Sequence, residues 1–349
     1  MSHPTRTPPI LDFSPLYTTP TNPTAKQDLV AAVRACCLTN GFFQITGHTV
    51  PASLLSAVMA CNSDFFNLAP ADKMAVGKHK NSYNRGYEPP ASQILEPGTL
   101  PDLKEGFYIG ADLAPTHPHV LASKLNSGPN TWPQRLPTLP VNQFRDTCMA
   151  YYDAVVRLAE DVLGVLALGL GLDEGWFGGV GYAGREAVAT MRLLHYPAQE
   201  GGGGGDGDGM EGLRRGIGAH TDFGGVTVLL QGEVGGLQVW DREVGGWFDV
   251  PPTPNAFVIN LGNLMQRWSN DRYISNTHRV INPDGGRERH SIALFYSGNP
   301  DYVVECLPNC RDEGEMPKYP PITVQEAILG GYRSSYGAAE RFKREGKGE

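Results

Sequence analysis

The 349-residue chain has no apolar run near the roughly 20 residues that a membrane-spanning helix needs, so no membrane is expected as a partner. Charge is sparse: 19% of residues are charged, and the formal net charge is −8. No lysine- and arginine-rich stripe runs along the sequence, which argues against nucleic acid as a partner. The six cysteines (Cys36, Cys37, Cys61, Cys148, Cys306 and Cys310) form no CxxC pair and lack the spacing of a small disulfide scaffold. Residues 1–9 carry no apolar signal core. Secretion is therefore not expected, and the cysteine usage points to a reducing, cytoplasmic compartment. Internal repeats and partner motifs are lacking too, so a monomer is expected.

What the chain has in excess is glycine and proline, 43 and 28 residues. Together they make about a fifth of the sequence against roughly 12% in ordinary usage. Such a chain spends many residues on turns and is not mostly long helices. A short strand is expected at 8–13. Thr24 is then expected to cap a helix with Leu29, Val33 and Cys36 or Cys37 at helical spacing. Pro51 opens a second helix, and 80–130 reads as mostly loop around one strand at 105–109. The longest helical pattern covers 141–168. Beyond 186 the texture changes to short β-type runs at 187–196, 226–231, 237–240, 256–260, 277–281 and 289–297, separated by turns, often Gly-Gly. A last helix is expected at 324–342. The block 201–209 (GGGGGDGDG) reads as a flexible connector. Its Asp206 and Asp208 fall short of the six to eight oxygens that calcium takes. The expectation is a mainly β, α+β chain with flanking helices in a single domain, 1–349. Within it, a helix-and-strand part (9–185) packs on a β core (186–305), and a C-terminal helix (320–343) is placed to act as a lid.

The informative chemistry begins at Gly218-Ala219-His220-Thr221-Asp222. On an extended strand, side chains two apart share a face and lie roughly 6.6 Å apart, so His220 and Asp222 can bind one metal ion. Alone, the pair equally describes a core histidine beside a turn aspartate. His278, from a later β run, can supply a third ligand. Two imidazoles and one carboxylate on one face of an ion leave the opposite positions open, the facial arrangement associated with non-haem Fe(II) that activates oxygen. Arg289-His290-Ser291 adds a second signal: Arg289 and Ser291 share one strand face, and His290 takes the other. A guanidinium beside a hydroxyl is a carboxylate receptor. A metal that chelates a 2-oxo acid and an arginine that holds its distal carboxylate together describe 2-oxoglutarate.

In these segments the chain resembles the Fe(II)/2-oxoglutarate-dependent dioxygenases of the isopenicillin N synthase-like superfamily. Other segments agree, among them Asn40-Gly41-Phe42-Phe43, Asn84-Arg85-Gly86-Tyr87, Leu194-His195-Tyr196-Pro197 and Gly235-Gly236-Leu237. The resemblance runs from about residue 9 to about residue 300. It implies a double-stranded β-helix (jelly-roll) core with helices packed on one sheet. It also implies Fe(II) on His220, Asp222 and His278, and 2-oxoglutarate on Arg289 and Ser291 with a hydroxyl from Tyr196. O2 is then the oxidant, and ascorbate a stimulant. The implied reaction releases succinate and CO2 and hydroxylates, desaturates or cyclises a small-molecule substrate of specialised metabolism. Many plant members have Asn-x-Tyr where this chain has Leu194-His195-Tyr196, which removes one polar contact to the cosubstrate. Gly262-Asn263 replaces a frequent Gly-Asp, a change expected to be structural only.

Strand alternation puts Arg192, Leu194 and Tyr196 on one face and His195 on the other. Arg192 then either binds a substrate carboxylate or carbonyl or pairs with a core acid. Phe223 and Phe295 have the parity to wall a substrate pocket, though aromatics are more often core. Asn84 lies in a loop that reaches the substrate in relatives acting on heterocycles, and an ordinary Asn turn is the competing reading. His117-Pro118-His119 lacks a third ligand, and His48 reads as structural. Two alternatives stay open on the residues alone: an oxidase with the same triad but no 2-oxoglutarate, and a zinc hydrolase.

Overall fold

The computed structural model describes residues 7–20, 22–198, 215–282, 286–312 and 314–345; the glycine block 201–209, with Asp206 and Asp208, lies outside them. Strand β1 (Ile10–Asp12) is followed by helix α1 (Pro23–Thr39), β2 (Phe42–Thr46), α2 (Ala52–Phe66) and α3 (Pro70–Ala75). The cap of α1 is Asn22, whose side chain accepts from the Ala25 N–H at 3.2 Å, and Thr24 lies inside the first turn. Pro23 explains the shift, because a proline's fixed φ and missing N–H suit the first helical position. Leu29, Val33, Cys36 and Cys37 form the buried side of α1.

The stretch expected to be nearly all loop contains β3 (Gly86–Glu88), β4 (Glu105–Gly110) and the short α4 (Pro118–Leu121). Helix α5 (Val141–Gly169) buries Phe144, Tyr151, Val155, Leu158, Val162 and Leu166. After α6 (Trp176–Gly179) come β5 (Val188–Tyr196), β6 (Arg215–His220), β7 (Val226–Gln231), β8 (Leu237–Asp241), β9 (Gly246–Asp249) and β10 (Phe257–Leu261). Then follow α7 (Asn263–Trp268), β11 (His278–Ile281), β12 (Arg289–Gly298), β13 (Val303–Val304), β14 (Ile322–Thr323) and α8 (Val324–Glu345). The unanticipated elements β3, α3, α4, α6, β9, α7, β13 and β14 are two to six residues long. The helices among them make fewer than two turns, and the strands, at two to four residues, alternate too briefly to stand out.

Eight strands form one sheet in the order β1-β2-β10-β7-β12-β5-β4-β3, and four form another in the order β6-β11-β8-β9. Helices α2 and α5 pack on the outer face of the large sheet, with α1 beside α5. Its inner face meets the small sheet through Phe42, Leu194, Tyr196, Val258 and Ala293 from one side and Ile217, Leu237, Val239 and Val280 from the other. The fold is the expected jelly roll: two facing sheets, with helices on the larger one. Among the described residues, no helix is long and apolar enough to cross a membrane.

Candidate active site

His220 closes β6 and His278 opens β11, and the antiparallel pairing places the two directly opposite each other. Their ring centroids are 4.3 Å apart. Asp222 lies two residues past His220, beyond the strand end, where the chain turns. Its backbone is pinned there: the Asn263 N–H donates to the Asp222 carbonyl at 2.8 Å. The turn packs so tightly that a Cβ on Gly262 would lie 2.2 Å from the Gly224 carbonyl oxygen, so a side chain at 262 would dislodge the ligand loop. Strand β6 is an edge strand, held by the 89–104 loop. Gly218 N–H donates to Asp102 Oδ1 at 3.0 Å, and Ala219 N–H to Glu96 Oε2 at 2.9 Å.

The polar atoms around the three side chains are committed in a way that leaves one donor atom on each. His220 Nδ1 bonds the Gly218 carbonyl at 2.8 Å, and His278 Nδ1 bonds the Asn276 carbonyl at 3.1 Å. A carbonyl only accepts, so each Nδ1 carries the proton and each Nε2 keeps its lone pair. Asp222 Oδ2 accepts from Thr227 Oγ1 and from Asn260 Nδ2, both at 2.6 Å. That leaves Oδ1, 3.8 Å from each Nε2. Burial, with His278 alongside, pushes the His220 imidazole down to about 3, so it is neutral at pH 7. Burial opposes charge on Asp222 too, but His278 and His220, with the two hydrogen bonds, hold its carboxyl below the usual range. Two neutral imidazoles and one carboxylate form a donor set that fits a divalent cation with open positions.

A second feature lies on the inner face of the large sheet. Arg289 is 1% exposed, and among the described residues no carboxylate pairs with it. Its Nη1 donates to Ser291 Oγ at 3.1 Å and its Nη2 to Gln231 Oε1 at 3.2 Å, while Nε has no partner. The guanidinium carbon lies 4.7 Å from the Tyr196 ring centroid, and Tyr196 is the register partner of Arg289. Burial pulls the arginine's pKa down from its ordinary value, with Tyr196 partly offsetting it. A buried cation with an idle donor and no acid is a receptor waiting for an anion.

Residues 188–298 match the 2OG-Fe(II) oxygenase superfamily, and 8–135 match the family described as non-haem dioxygenase in morphine synthesis N-terminal. The 2-oxoglutarate-Fe(II) type oxidoreductase hxnY of Emericella nidulans is 55% identical over 97% of this chain and 93% of its own. The chain belongs to the Fe(II)- and 2-oxoglutarate-dependent oxygenases. Clavatol oxidase claD of Penicillium crustosum is 35% identical over 96% of this chain and 98% of its own. Among solved structures, Neurospora crassa T7H in complex with alpha-KG and thymine superposes with a TM-score of 0.75. It is 27% identical over 92% of this chain and 95% of that one. The enzyme thus uses Fe(II) and 2-oxoglutarate to oxidise a small molecule, and the oxidase and zinc hydrolase readings are set aside.

In this oxygenase, the cavity beside the triad is lined by His220, Asp222, Phe223, Arg192, Phe295 and Lys104, with Ile328 and Tyr332 of α8 closing one side. Arg192 lies between the rings of Tyr108 and Phe295, at 4.6 and 4.5 Å from their centroids. Among the described residues no acid is in ion-pair contact with it, and its Nε is unpartnered. Phe223 packs edge-on to Tyr332, a fit that a Cβ on Gly331 would block at 2.6 Å. Asn84 is elsewhere. It adopts φ +59°, donates to Asn126 Oδ1 at 3.1 Å and lines a neighbouring cavity, because its turn carries the amide away from the triad. His117 Nδ1 accepts from the His119 N–H at the start of α4, and His119 pairs with Glu186. His48 Nε2 bonds the Asn255 carbonyl.

Sequence reasoning passed over Thr227, Asn260 and Gln231, which fix Asp222 and Arg289, and Lys104 at the cavity. The first three had a legible signal. Each is a polar residue at an inward position of an otherwise apolar strand, where a buried polar group needs a partner.

Proposed function

We propose that His220, Asp222 and His278 hold Fe(II) through Nε2, Oδ1 and Nε2, and that Arg289 and Ser291 hold the distal carboxylate of 2-oxoglutarate with the Tyr196 hydroxyl beside them. The carrying observation is Arg289, a buried guanidinium with an idle donor and no carboxylate partner. With iron and cosubstrate in place, the site supplies oxidative decarboxylation to succinate and CO2 and a strong oxidant for a C–H bond. The chain's own residues do the rest. The Nδ1–H bonds to Gly218 and Asn276 fix the imidazoles, Thr227 and Asn260 fix the carboxylate, and α8 with Phe223 excludes water.

The substrate is a small, flat molecule carrying a carboxylate, enolate or carbonyl. Arg192, clamped between two aromatic rings, faces that group, and Phe223 and Phe295 pack on its plane. The half-buried Arg192 and Lys78 and the buried Lys104 gather near Glu88, which bonds Lys78 at 2.5 Å and lies 3.5 Å from Lys104, with Asp102 also beside Lys104. Arg192, with no acid in ion-pair contact among the described residues and Nε unpartnered, favours an anion or carbonyl. The thymine held by the T7H relative is likewise small and flat. Asn84 acts at one remove, through Asn126, which donates to Tyr332 OH at 3.0 Å. The outcome is hydroxylation, desaturation or cyclisation in specialised metabolism, by a monomeric, single-domain cytoplasmic enzyme.

The test is a screen for substrate-stimulated succinate release with Fe(II), ascorbate and O2, using heteroaromatic carboxylates and hydroxy-heteroaromatics beside neutral, non-planar controls. The anionic, planar set should stimulate turnover. His220→Ala should remove both iron binding and turnover. Stimulation by the non-planar neutral set alone, or iron uptake undiminished in His220→Ala, would sink the reading.

A further inference from the structure

The outer face of the large sheet carries a second trio of metal-binding side chains, away from the one assigned to iron. His195 of β5 and His290 of β12 are register partners. Their rings stack with centroids 4.8 Å apart, and Phe66 of α2 stacks on His195 at 5.3 Å. Glu288, just before β12, reaches over both: Oε2 lies 3.0 Å from His195 Nε2, and Oε1 lies 3.3 Å from His290 Nε2. One donor atom from each of the three falls within 4.8 Å of the others.

We propose that His195, Glu288 and His290 form a second divalent metal site, of the class that takes Zn2+. Three features support it. A tetrahedral ion with bonds of about 2.0–2.1 Å sets its ligand atoms roughly 3.3 Å apart. Each histidine already lies 3.0 or 3.3 Å from one oxygen of Glu288, and the three donor atoms, within 4.8 Å of one another, close on an ion by rotation of the half-exposed Glu288. Next, His195 is already oriented as a ligand. Its Nδ1 bonds Glu105 Oε1 at 2.8 Å, and Glu105 is balanced by Lys73 at 2.8 Å, so Nε2 is the nitrogen left to bind. A carboxylate behind a histidine fixes tautomer and ring and raises the basicity of the ligating nitrogen. Finally, Glu288 and His290 line an outer groove of about 1100 Å³, which gives an ion a route in and room for a water as fourth ligand.

The placement gives such a metal a consequence. The pairs flanking His195 and His290 in register are Tyr196 with Arg289 and Leu194 with Ser291. Side chains alternate across a strand, so these project to the inner face, where 2-oxoglutarate is proposed to bind. A metal on the outer face therefore ties β5 to β12 at the rung that holds the cosubstrate carboxylate.

The experiment is Co2+ and Zn2+ titration of full-length, tag-free apoprotein in the His220→Ala/His278→Ala background, which removes the iron triad without touching the outer trio. One equivalent of Co2+ is expected, with the intense visible bands of tetrahedral coordination, displaced by Zn2+. Adding Glu288→Gln, or separately His290→Gln, should weaken binding at least tenfold. Glu288 is half-exposed, so its conservative amide tests the site without a buried change. Absence of a bound equivalent, or affinity unchanged in both variants, would overturn the proposal. A wild-type protein taking up two equivalents and Glu288→Gln taking up one would support it independently.

Discussion

The same strands build both faces of the eight-stranded sheet, and the two faces are made of different material. On β12, Ile292, Leu294 and Tyr296 point into a core shared with α2 and α5, while Arg289, Ser291, Ala293, Phe295 and Ser297 point toward the small sheet. On β5, Met191 and Leu193 go one way and Thr190, Arg192, Leu194 and Tyr196 the other. Apart from the rung of His195 and His290, the helix face is hydrocarbon of large, fully buried side chains. The inner face holds buried cations, hydroxyls and amides, with only a small apolar cluster among them. Each deeply buried aliphatic side chain contributes about 1.5–3 kcal/mol on burial, whereas a buried guanidinium without an anion costs stability. Beyond that rung, one face therefore carries the fold and the other carries the cosubstrate chemistry. The strand's two-residue period keeps them apart by a single Cα step.

Arg289→Met offers the largest break in that division. Losing a charge-assisted contact to a carboxylate costs about 2–5 kcal/mol, so anaerobic 2-oxoglutarate titrations should weaken by roughly 30- to 5000-fold. Unfolding stability without cosubstrate should stay level or rise, since the cation has no acid to satisfy it. A variant that bound 2-oxoglutarate normally would refute the inner-face assignment. Leu294→Ala is the mirror image. At 0% exposure on the helix face, its truncation should cost about 2–5 kcal/mol in urea melts. The 2-oxoglutarate affinity of the folded fraction should not move. If affinity dropped as far as stability, the two faces would be one coupled unit.

This division also sets how much was legible in the sequence. The strands β5, β7, β8, β10, β11 and β12 stood out as β-type runs bounded by turn residues, and His220, Asp222, His278, Arg289 and Ser291 were readable by their spacing. Asp222 was placed on a strand face in that reading, yet it sits in the turn after β6, held by the Asn263 N–H from the start of α7. That contact joins residues 41 apart in sequence. Lys104, Gln93 and Tyr332 reach the cavity from a loop and from α8, elements whose sequences carry no sheet parity to place them. The triad and the walls Arg192, Phe223 and Phe295 were readable from strand parity and neighbourhood; the walls that come from the loop and from α8 were not.

Asp102 sharpens the comparison on its electrostatic side. Its Oδ1 holds β6 through Gly218, its Oδ2 has no partner, and burial raises its pKa from 3.8 to about 6 despite Lys104 nearby. The folded pKa lies above the unfolded one, so the protonated form favours the fold. That contribution is full below pH 3.8 and is lost as pH rises through 6. Asp102→Asn keeps an acceptor for Gly218 and removes the charge. Unfolding free energies of parent and variant should coincide near pH 4 and diverge by up to about 3 kcal/mol at pH 7–8, with the variant higher. Parallel curves would mean that the carboxylate is satisfied as it stands.

The smallest effect should come from Thr227→Val, a change at an inward position of β7 that removes one hydroxyl and keeps the shape. Thr227 donates to Asp222 Oδ2 at 2.6 Å and shares that oxygen with Asn260. Partners of this kind are typically worth 10–100-fold in metal affinity, and Asn260 still holds the carboxylate, so the loss should sit near the lower end, about tenfold. Anaerobic Fe(II) titration in the presence of 2-oxoglutarate reads it directly. Higher Fe(II) should restore kcat, since the valine leaves the three donor atoms in place. Unchanged iron affinity would mean that Asn260 alone orients Asp222. A fall in kcat that excess iron did not restore would mean that the hydroxyl acts on the reaction itself, and the inner face would then reach one strand deeper than the triad.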